Sequence, residues 1–390
     1  MINVTKLLTG MKGEGDDLRY TIKPGHKPHG VSAGRGPVVV WNSTRACNLT
    51  CKHCYANACP AHDPDEMSTE EAKAFIDDLA AFQVPVLLFS GGEPLIRKDI
   101  FELISYASSK GLRPVISTNG TLITTDKAKM LKEAGIKYVG VSLDGLEERH
   151  DEFRGRKSSF EQALQGIRNC LSIGQKVGVR FTISRHTYED LDGVLDLIER
   201  ENIPRACFYH LVYSGRGSAL QQEDVTHEQS RHALDRIMAK TIDLHGKGKQ
   251  VELLTVDNHA DGVYLYQWIM EHDPVRAGEL LELLRRNGGN RSGIAIGCVD
   301  WHGNVYPDQF TRDVQIGNIR KQKFSEIWRD AAHPLMAGLR DRKPLLKGRC
   351  SECKWLDVCN GNFRARASVS GDFWAEDPSC YLSDREIGIV

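Results

Sequence analysis

The sequence predicts an α/β protein: a parallel sheet of six strands alternating with helices, an open or partial barrel, followed by a small C-terminal domain. Three observations carry this. Short β-rich apolar runs recur six times between residues 37 and 213, stretches of helical period separate them, and beyond residue 293 short strands and clustered cysteines take over. Runs that are apolar throughout suit strands covered on both faces, as in parallel sheets. Parallel strands need crossover connections, and such sheets gather their chemistry at the carboxyl ends of the strands. Six units are fewer than a closed barrel needs.

The first 36 residues, rich in Gly, Lys and His without clear periodicity, form an N-terminal extension. The core is predicted over 37–217, with strands at 37–41, 86–89, 114–117, 138–142, 177–183 and 206–212. Between the first two strands, Ala72, Phe75, Ile76, Leu79 and Ala80 share one helical face behind a Ser68-x-x-Glu71 capping box. Leu191, Val194, Leu195 and Ile198 repeat that stripe. After Ser214-Gly215-Arg216-Gly217, helical segments at about 226–247 and 260–287 make a bridging region, 218–293, that ends beyond Gly288-Gly289. From 294 to 390, short strands around a Gly303-Asn304 turn lead into a cysteine-rich tail.

Composition narrows the function classes. Lys plus Arg number 51 against 52 Asp plus Glu, so no blanket attraction to nucleic acid or an anionic membrane is expected. At 41% hydrophobic and 26% charged, the chain reads as globular rather than disordered, collagenous or coiled-coil. Its longest apolar runs, 38–41 and 86–89, fall far short of the ~20 residues that span a bilayer. With no apolar leader, a cytoplasmic location is expected. There, 11 cysteines that cluster are more often metal ligands or catalysts than disulfide partners.

Cys47, Cys51 and Cys54 stand in a C-x3-C-x2-C spacing just after the first strand. Soft thiolates this close favour zinc or an iron–sulfur cluster. A [4Fe-4S] cube held by three cysteines leaves one iron open to an external ligand; a zinc site would need a distant fourth ligand such as Cys59 or His62. The second strand ends in Ser90-Gly91-Gly92-Glu93-Pro94 at the same edge of the sheet, where glycines let a ligand approach the backbone. Together these motifs resemble the radical S-adenosylmethionine (SAM) superfamily over residues 37–213. The resemblance implies that Cys47, Cys51 and Cys54 hold a [4Fe-4S] cluster whose open iron takes the amino and carboxylate groups of SAM. Gly91, Gly92 and Glu93 would meet the methionyl amino group, with Pro94 fixing the turn and His53 beside the adenine. Ser117, Asn119, Ser142 and Asp144 suit ribose and carboxylate contacts, and Arg154 the SAM carboxylate. For Ser117, Asn119 and Asp144 the alternative is plain turn chemistry.

Cys350-x2-Cys353-x5-Cys359, with Cys380, can close a second site, and zinc and [4Fe-4S] both fit that set alone. Behind a radical SAM core it resembles the auxiliary-cluster domains called SPASM and, when shortened, twitch, which favours iron–sulfur. Two ligand positions of the full SPASM pattern are here Phe363 and Asp308. One auxiliary [4Fe-4S] cluster is therefore expected. Cys298 is left over, either buried or replacing Cys380 as a ligand. Cys59, Cys170 and Cys207 are read as packing residues.

The segments 6–8, 17–20, 41–47, 208–217 and 359–362 resemble the radical SAM enzymes of alternative haem synthesis. Within that group the likeness is closest to the 12,18-didecarboxysiroheme deacetylases, which remove two acetate side chains through a 5′-deoxyadenosyl radical to give iron-coproporphyrin III. The alternatives are a sister enzyme that removes or decarboxylates propionates and a peptide-modifying radical SAM maturase. The short stretch before the first strand speaks against the maturase, and a plain electron carrier or zinc module is a further rival. A tetrapyrrole substrate with several carboxylates needs basic groups around an apolar pocket. Arg19, Lys27, Arg45, Arg216 and the run Arg154-Gly155-Arg156-Lys157 are candidates, with solvated surface charge as the alternative. His26 and His29 are candidates for the substrate iron. A ferredoxin or flavodoxin is the expected electron donor, and the auxiliary cluster is expected either to pass an electron to or from the substrate or to be structural.

Overall fold

A computed structural model describes residues 1–20, 36–330 and 332–389. His26, Lys27 and His29 lie outside the described residues. Eleven strands make one sheet: β1 (Ile2–Asn3), β2 (Val38–Thr44), β3 (Leu87–Gly91), β4 (Pro114–Thr118), β5 (Val139–Ser142), β6 (Val177–Ile183), β7 (Arg205–His210), β8 (Glu252–Val256), β9 (Ile296–Val299), β10 (Asn304–Tyr306) and β11 (Gly317–Asn318). Their order is β1-β8-β7-β6-β5-β4-β3-β2-β9-β10-β11. Strands β2 to β8 run parallel, as does β9 beside β2, while β1 and the β9–β10–β11 meander are antiparallel. Among the described residues no pairing joins β1 to β11, so the sheet stays open.

Each of the six predicted runs is a strand. The Ser68 capping box forms as predicted: Ser68 Oγ accepts from Glu71 N at 3.2 Å, and Ser68 N donates to the Glu71 carboxylate at 2.8 Å. It starts the helix Thr69–Ala81, which buries Ala72, Phe75, Ile76 and Leu79 against the sheet. Phe75, Ile76 and Leu79 are each worth ~1.5–3 kcal/mol of transfer free energy. The helix Leu191–Arg200 buries Leu191, Val194, Leu195 and Ile198 in the same way. Trp41 of β2 lies between Phe75 at 5.7 Å and Phe89 at 5.5 Å, and Phe324 from the C-terminal part meets Phe75 at 6.1 Å.

Two features of the bridging region differ from expectation. The stretch 260–287 is two helices, Ala260–His272 and Pro274–Asn287, because a proline has no N–H to give and restricts the residue before it. Strand β8 sits between the helix His227–Gly246 and Ala260. Its five residues are all buried and pair with β7, a tertiary partnership that a short apolar run between long helical patterns does not announce. Among the described residues no helix is long and apolar enough to cross a membrane.

Candidate functional site

The loop that follows β2 is tied into a ring by backbone bonds. Cys47 N donates to Cys59 O at 2.8 Å and Cys59 N to Arg45 O at 3.2 Å. Inside the ring, the thiols of Cys47, Cys51 and Cys54 pack with Leu49 and Ala58. The Cys59 thiol instead turns to the Ala61 carbonyl at 3.6 Å, away from the other three. Arg216 clasps the loop from outside, giving Nε to Cys51 O at 2.8 Å and Nη1 to Ala58 O at 2.7 Å. Gly215, at φ +57°, makes this approach feasible, since a Cβ there would lie 2.5 Å from Cys54 O. Arg216, a candidate for the substrate, thus spends two of its donor groups on the cluster loop. Burial pushes the Cys47 thiol up to about 12, so deprotonated thiols here need a compensating cation.

The end of β3 presses on that loop. Gly91 has φ +127°, and a Cβ on Gly92 would sit 2.1 Å from Ala46 O, backbone against backbone. Glu93 is fully buried and accepts from Thr118 Oγ1 and Asn119 N, each at 2.8 Å, and from Leu95 N at 3.1 Å. Burial holds its carboxyl above the ordinary range despite these donors. Glu93 therefore locks the end of β3 to the end of β4. The cavity enclosed at these strand ends spans about 1080 Å³ including its open mouth. It is lined by Cys47, Cys51, Cys54, His53, Gly91, Gly92, Ser117, Asn119, Ser142 and Arg154, so ten of the sequence-derived residues meet there. Glu93, Pro94 and Asp144 stand behind its wall.

Asp144 is fully buried and held by three neighbours. It forms a short ion pair with Arg154, accepts from Thr182 N at 2.5 Å, and lies 3.3 Å from His53 Nε2. The Arg154 guanidinium holds its carboxyl well below the usual carboxylate range against the opposing effect of burial. Burial lowers the pKa of His53, whose ring is stacked 4.5 Å from that of Phe153. Arg154 also gives Nη1 to Cys51 Sγ at 3.6 Å, placing a fixed cation beside the thiols. His53 Nδ1, Arg154 Nε and Arg216 Nη2 are buried without a hydrogen-bond partner. Such atoms are costly unless a ligand meets them, and all three residues line this cavity.

The second cysteine set gathers below the tail. Cys350, Cys353 and Cys380 all push up the Cys359 thiol, after burial itself, and so are its electrostatic neighbours. Gly289, at φ +65°, lets the chain pass this set, since a Cβ there would lie 2.2 Å from Cys359 O. A fully buried ion pair, Arg366–Asp377 at 2.8 Å, pins the segment before Cys380. Cys298 is elsewhere, packed with Val40 and Tyr306 on the sheet. Asp308 caps its own turn, accepting from Phe310 N at 2.7 Å and Thr311 N at 2.8 Å. Phe363 packs on Phe310 at 5.5 Å and on Val212. Among the described residues no group of three or more His, Cys, Asp or Glu is drawn together as a single metal ion requires.

Among the cavity residues not singled out in the sequence, two carry charge. Asp257 follows β8 with φ +68°, its Oδ2 is buried without a partner, and burial pushes its carboxyl up to about 6. It was hidden because β8 was. Arg180 lies mid-strand in β6, and its signal was there to read: a charge at the centre of the otherwise apolar run 177–183.

The family model described as the radical SAM superfamily matches residues 41–198, and that of an iron–sulfur cluster-binding SPASM domain matches 296–354. The chain is 55% identical over 395 residues to the Fe-coproporphyrin III synthase of Methanosarcina barkeri, covering 100% of this chain and 99% of the relative. It is 41% identical to the pre-heme d1 synthase of Dinoroseobacter shibae over 90% of this chain and 88% of that one. Streptococcus suis SuiB bound to S-adenosylmethionine shares the fold, with a TM-score of 0.70 at 17% identity over 89% of this chain and 77% of that one. The chain belongs to the radical SAM superfamily, whose members hold a [4Fe-4S] cluster and SAM, and it carries a SPASM iron–sulfur domain behind the core.

Proposed function

We propose that the chain removes the two acetate side chains of 12,18-didecarboxysiroheme to give iron-coproporphyrin III in alternative, siroheme-dependent haem synthesis. The observation that carries this reading is the full-length similarity to a relative named for that product. Cys47, Cys51 and Cys54 would hold the [4Fe-4S] cluster, which would supply the reductive cleavage of SAM and with it radical hydrogen abstraction from an unactivated carbon. The protein's part is to bind, orient and exclude water. Arg216 and the Cys47–Cys59 ring fix the cluster loop, Gly91 and Gly92 offer bare backbone to the methionyl end, and Arg154 holds positive charge beside Cys51. Ser117, Asn119 and Ser142 supply polar contacts at neighbouring strand ends, and His53, stacked on Phe153, borders the adenine. Asp144 and Glu93 hold these groups in place from behind the wall.

Cys350, Cys353, Cys359 and Cys380 would hold one auxiliary [4Fe-4S] cluster, because Asp308 and Phe363 are engaged in turn and packing contacts. A holoenzyme with about eight iron and eight sulfide per chain supports two clusters. We infer a cytoplasmic reaction with a ferredoxin or flavodoxin as reductant, a reading supported by the clustered, unpaired cysteines. The test is an anaerobic assay with reductant, SAM and didecarboxysiroheme, followed by mass spectrometry. Loss of two acetate-sized fragments is expected; intact acetates in a preparation that cleaves SAM, or loss from propionates instead, rejects the assignment.

A further inference from the structure

A second cavity lies within the barrel, towards the amino ends of the strands. Its volume is about 380 Å³, within the ~300–1,000 Å³ of sites for drug-sized ligands. It adjoins the upper cavity, for Val40, Leu88, Arg180, Tyr209, Asp257 and Gln309 line both. Its wall has two characters. Val40, Leu88 and Val115 make an apolar side, while Tyr138, Arg180 and Tyr209 face them from β5 to β7.

Arg180 is built into this wall. Gly140 and Gly178 are register partners on β5 and β6. A Cβ on Gly140 would lie 2.9 Å from Arg180 Cδ, so the missing side chain makes the slot in which the arginine lies. Its guanidinium rests 4.8 Å from the centroid of the Tyr209 ring. Arg19 and Arg205 are paired with Glu252, Arg113 with Glu14, and Arg154 with Asp144, while Arg216 is spent on the Cys51 and Ala58 carbonyls. Arg180 has no carboxylate in ion-pair range and no hydrogen-bond partner among the described residues. Asp257, which lines both cavities, acts on it only from beyond ion-pair range, so the guanidinium's donors stay open to an anion, and a planar fork suits a carboxylate.

Resting on the tetrapyrrole reading above, we propose that Arg180 receives a propionate carboxylate of the substrate and so sets the position of the macrocycle below the SAM cavity. The anchor must be an arm that stays, since both acetates leave while the ring is held. Arg180 pairs in register with Ser142, which lines the upper cavity. Thr182, two residues further along β6, also lines it. Two residues of strand span ~6.6 Å, so a ring anchored at Arg180 presents its neighbouring arms to the SAM end.

The test uses the reconstituted holoenzyme without oxygen, titrated with iron-coproporphyrin III and with its tetramethyl ester and followed by Soret absorbance. The wild type is expected to prefer the acid. Arg180→Gln is expected to weaken acid binding by roughly 10- to 100-fold, the loss typical of a charge-assisted hydrogen bond, with ester binding changed by less than about threefold. Arg168→Gln, which removes an arginine paired with Glu201 and lining neither cavity, is expected to leave acid binding unchanged. Should the glutamine variant lose its iron, Arg180→Met keeps a long side chain over Gly140 and Tyr209 and is read in the same way. Unchanged acid affinity in an iron-replete variant overturns the proposal, and so do equal losses for acid and ester. A wild type that binds acid and ester equally overturns this proposal alone, whereas one that binds neither overturns the tetrapyrrole reading with it.

Discussion

Replacing Gly92 with alanine puts a methyl group where the cluster loop passes. The new Cβ would meet Ala46 O at 2.1 Å, and Ala46 C and Arg45 O at 2.7 Å each, all of them backbone atoms that cannot swing aside. To restore ordinary contact, β3 and the loop must part by about 1 Å in a close-packed interior. The loop is also held by the Cys47–Cys59 bond and by Arg216, so the shift falls on the thiols and on the neighbouring backbone at Gly91. A misplacement of about 1 Å in a reacting pair costs on the order of 10²-fold in rate. The measurement is anaerobic, dithionite-driven formation of 5′-deoxyadenosine, normalised to bound iron and compared with a thermal melt. We expect the rate to fall by roughly 100-fold with most of the helical signal retained. A variant with full iron content and a rate within about twofold of the wild type would refute the view that Gly92 is fixed by the loop behind it.

Asp144→Asn is expected to leave Arg154 buried without its charge partner, at a cost of ~3–5 kcal/mol seen as a lower urea midpoint at pH 7; the double variant with Arg154→Met should recover part of it. Because the folded carboxyl of Asp144 is depressed, its stabilisation is full above its unfolded range and is lost as pH falls through the folded value, so wild type and variant should converge in acid. Asp257 has the opposite sign. Its carboxyl is raised to about 6, so ionising it opposes folding increasingly as pH rises from its unfolded range to about 6. Asp257→Asn should therefore stabilise the protein at pH 8 by roughly 1–3 kcal/mol and have little effect near pH 4; equal effects at both values would contradict this. Cys298→Ala should keep all of its iron, whereas Cys380→Ala should lose about four iron per chain, as read by metal analysis.

What the chain discloses by itself is local. The Ser68–Glu71 box, the three closely spaced thiols and the Gly91-Gly92 turn each act through neighbours in sequence, and each stands where expected. What it conceals depends on distant partners. Arg216 reads as a free cation until the fold lays it on Cys51 and Ala58, more than 150 residues away. Asp144 reads as a ligand contact, yet Arg154 and His53 take its carboxylate behind the cavity wall. Strand β8 has only five residues and no turn signal of its own, so Asp257 at its end passed unnoticed. Arg180 was visible as a charge in an apolar strand, but which face it served depends on Gly140 across the sheet.

Strand β2, which carries the chain into the cluster loop, has β3 on one side and β9 on the other, with Val38 opposite Ile296. During synthesis, more than 250 residues separate the making of these partners. Until then β2 presents a bare edge of Val38, Val39, Val40 and Trp41, the kind of apolar strand that recruits other chains, and pairings this distant in sequence are slow to form. Chains cut before Ile296 should therefore tend to aggregate rather than survive as a free core. In the cell, the first cysteine loop gains its full support only once the C-terminal third has emerged.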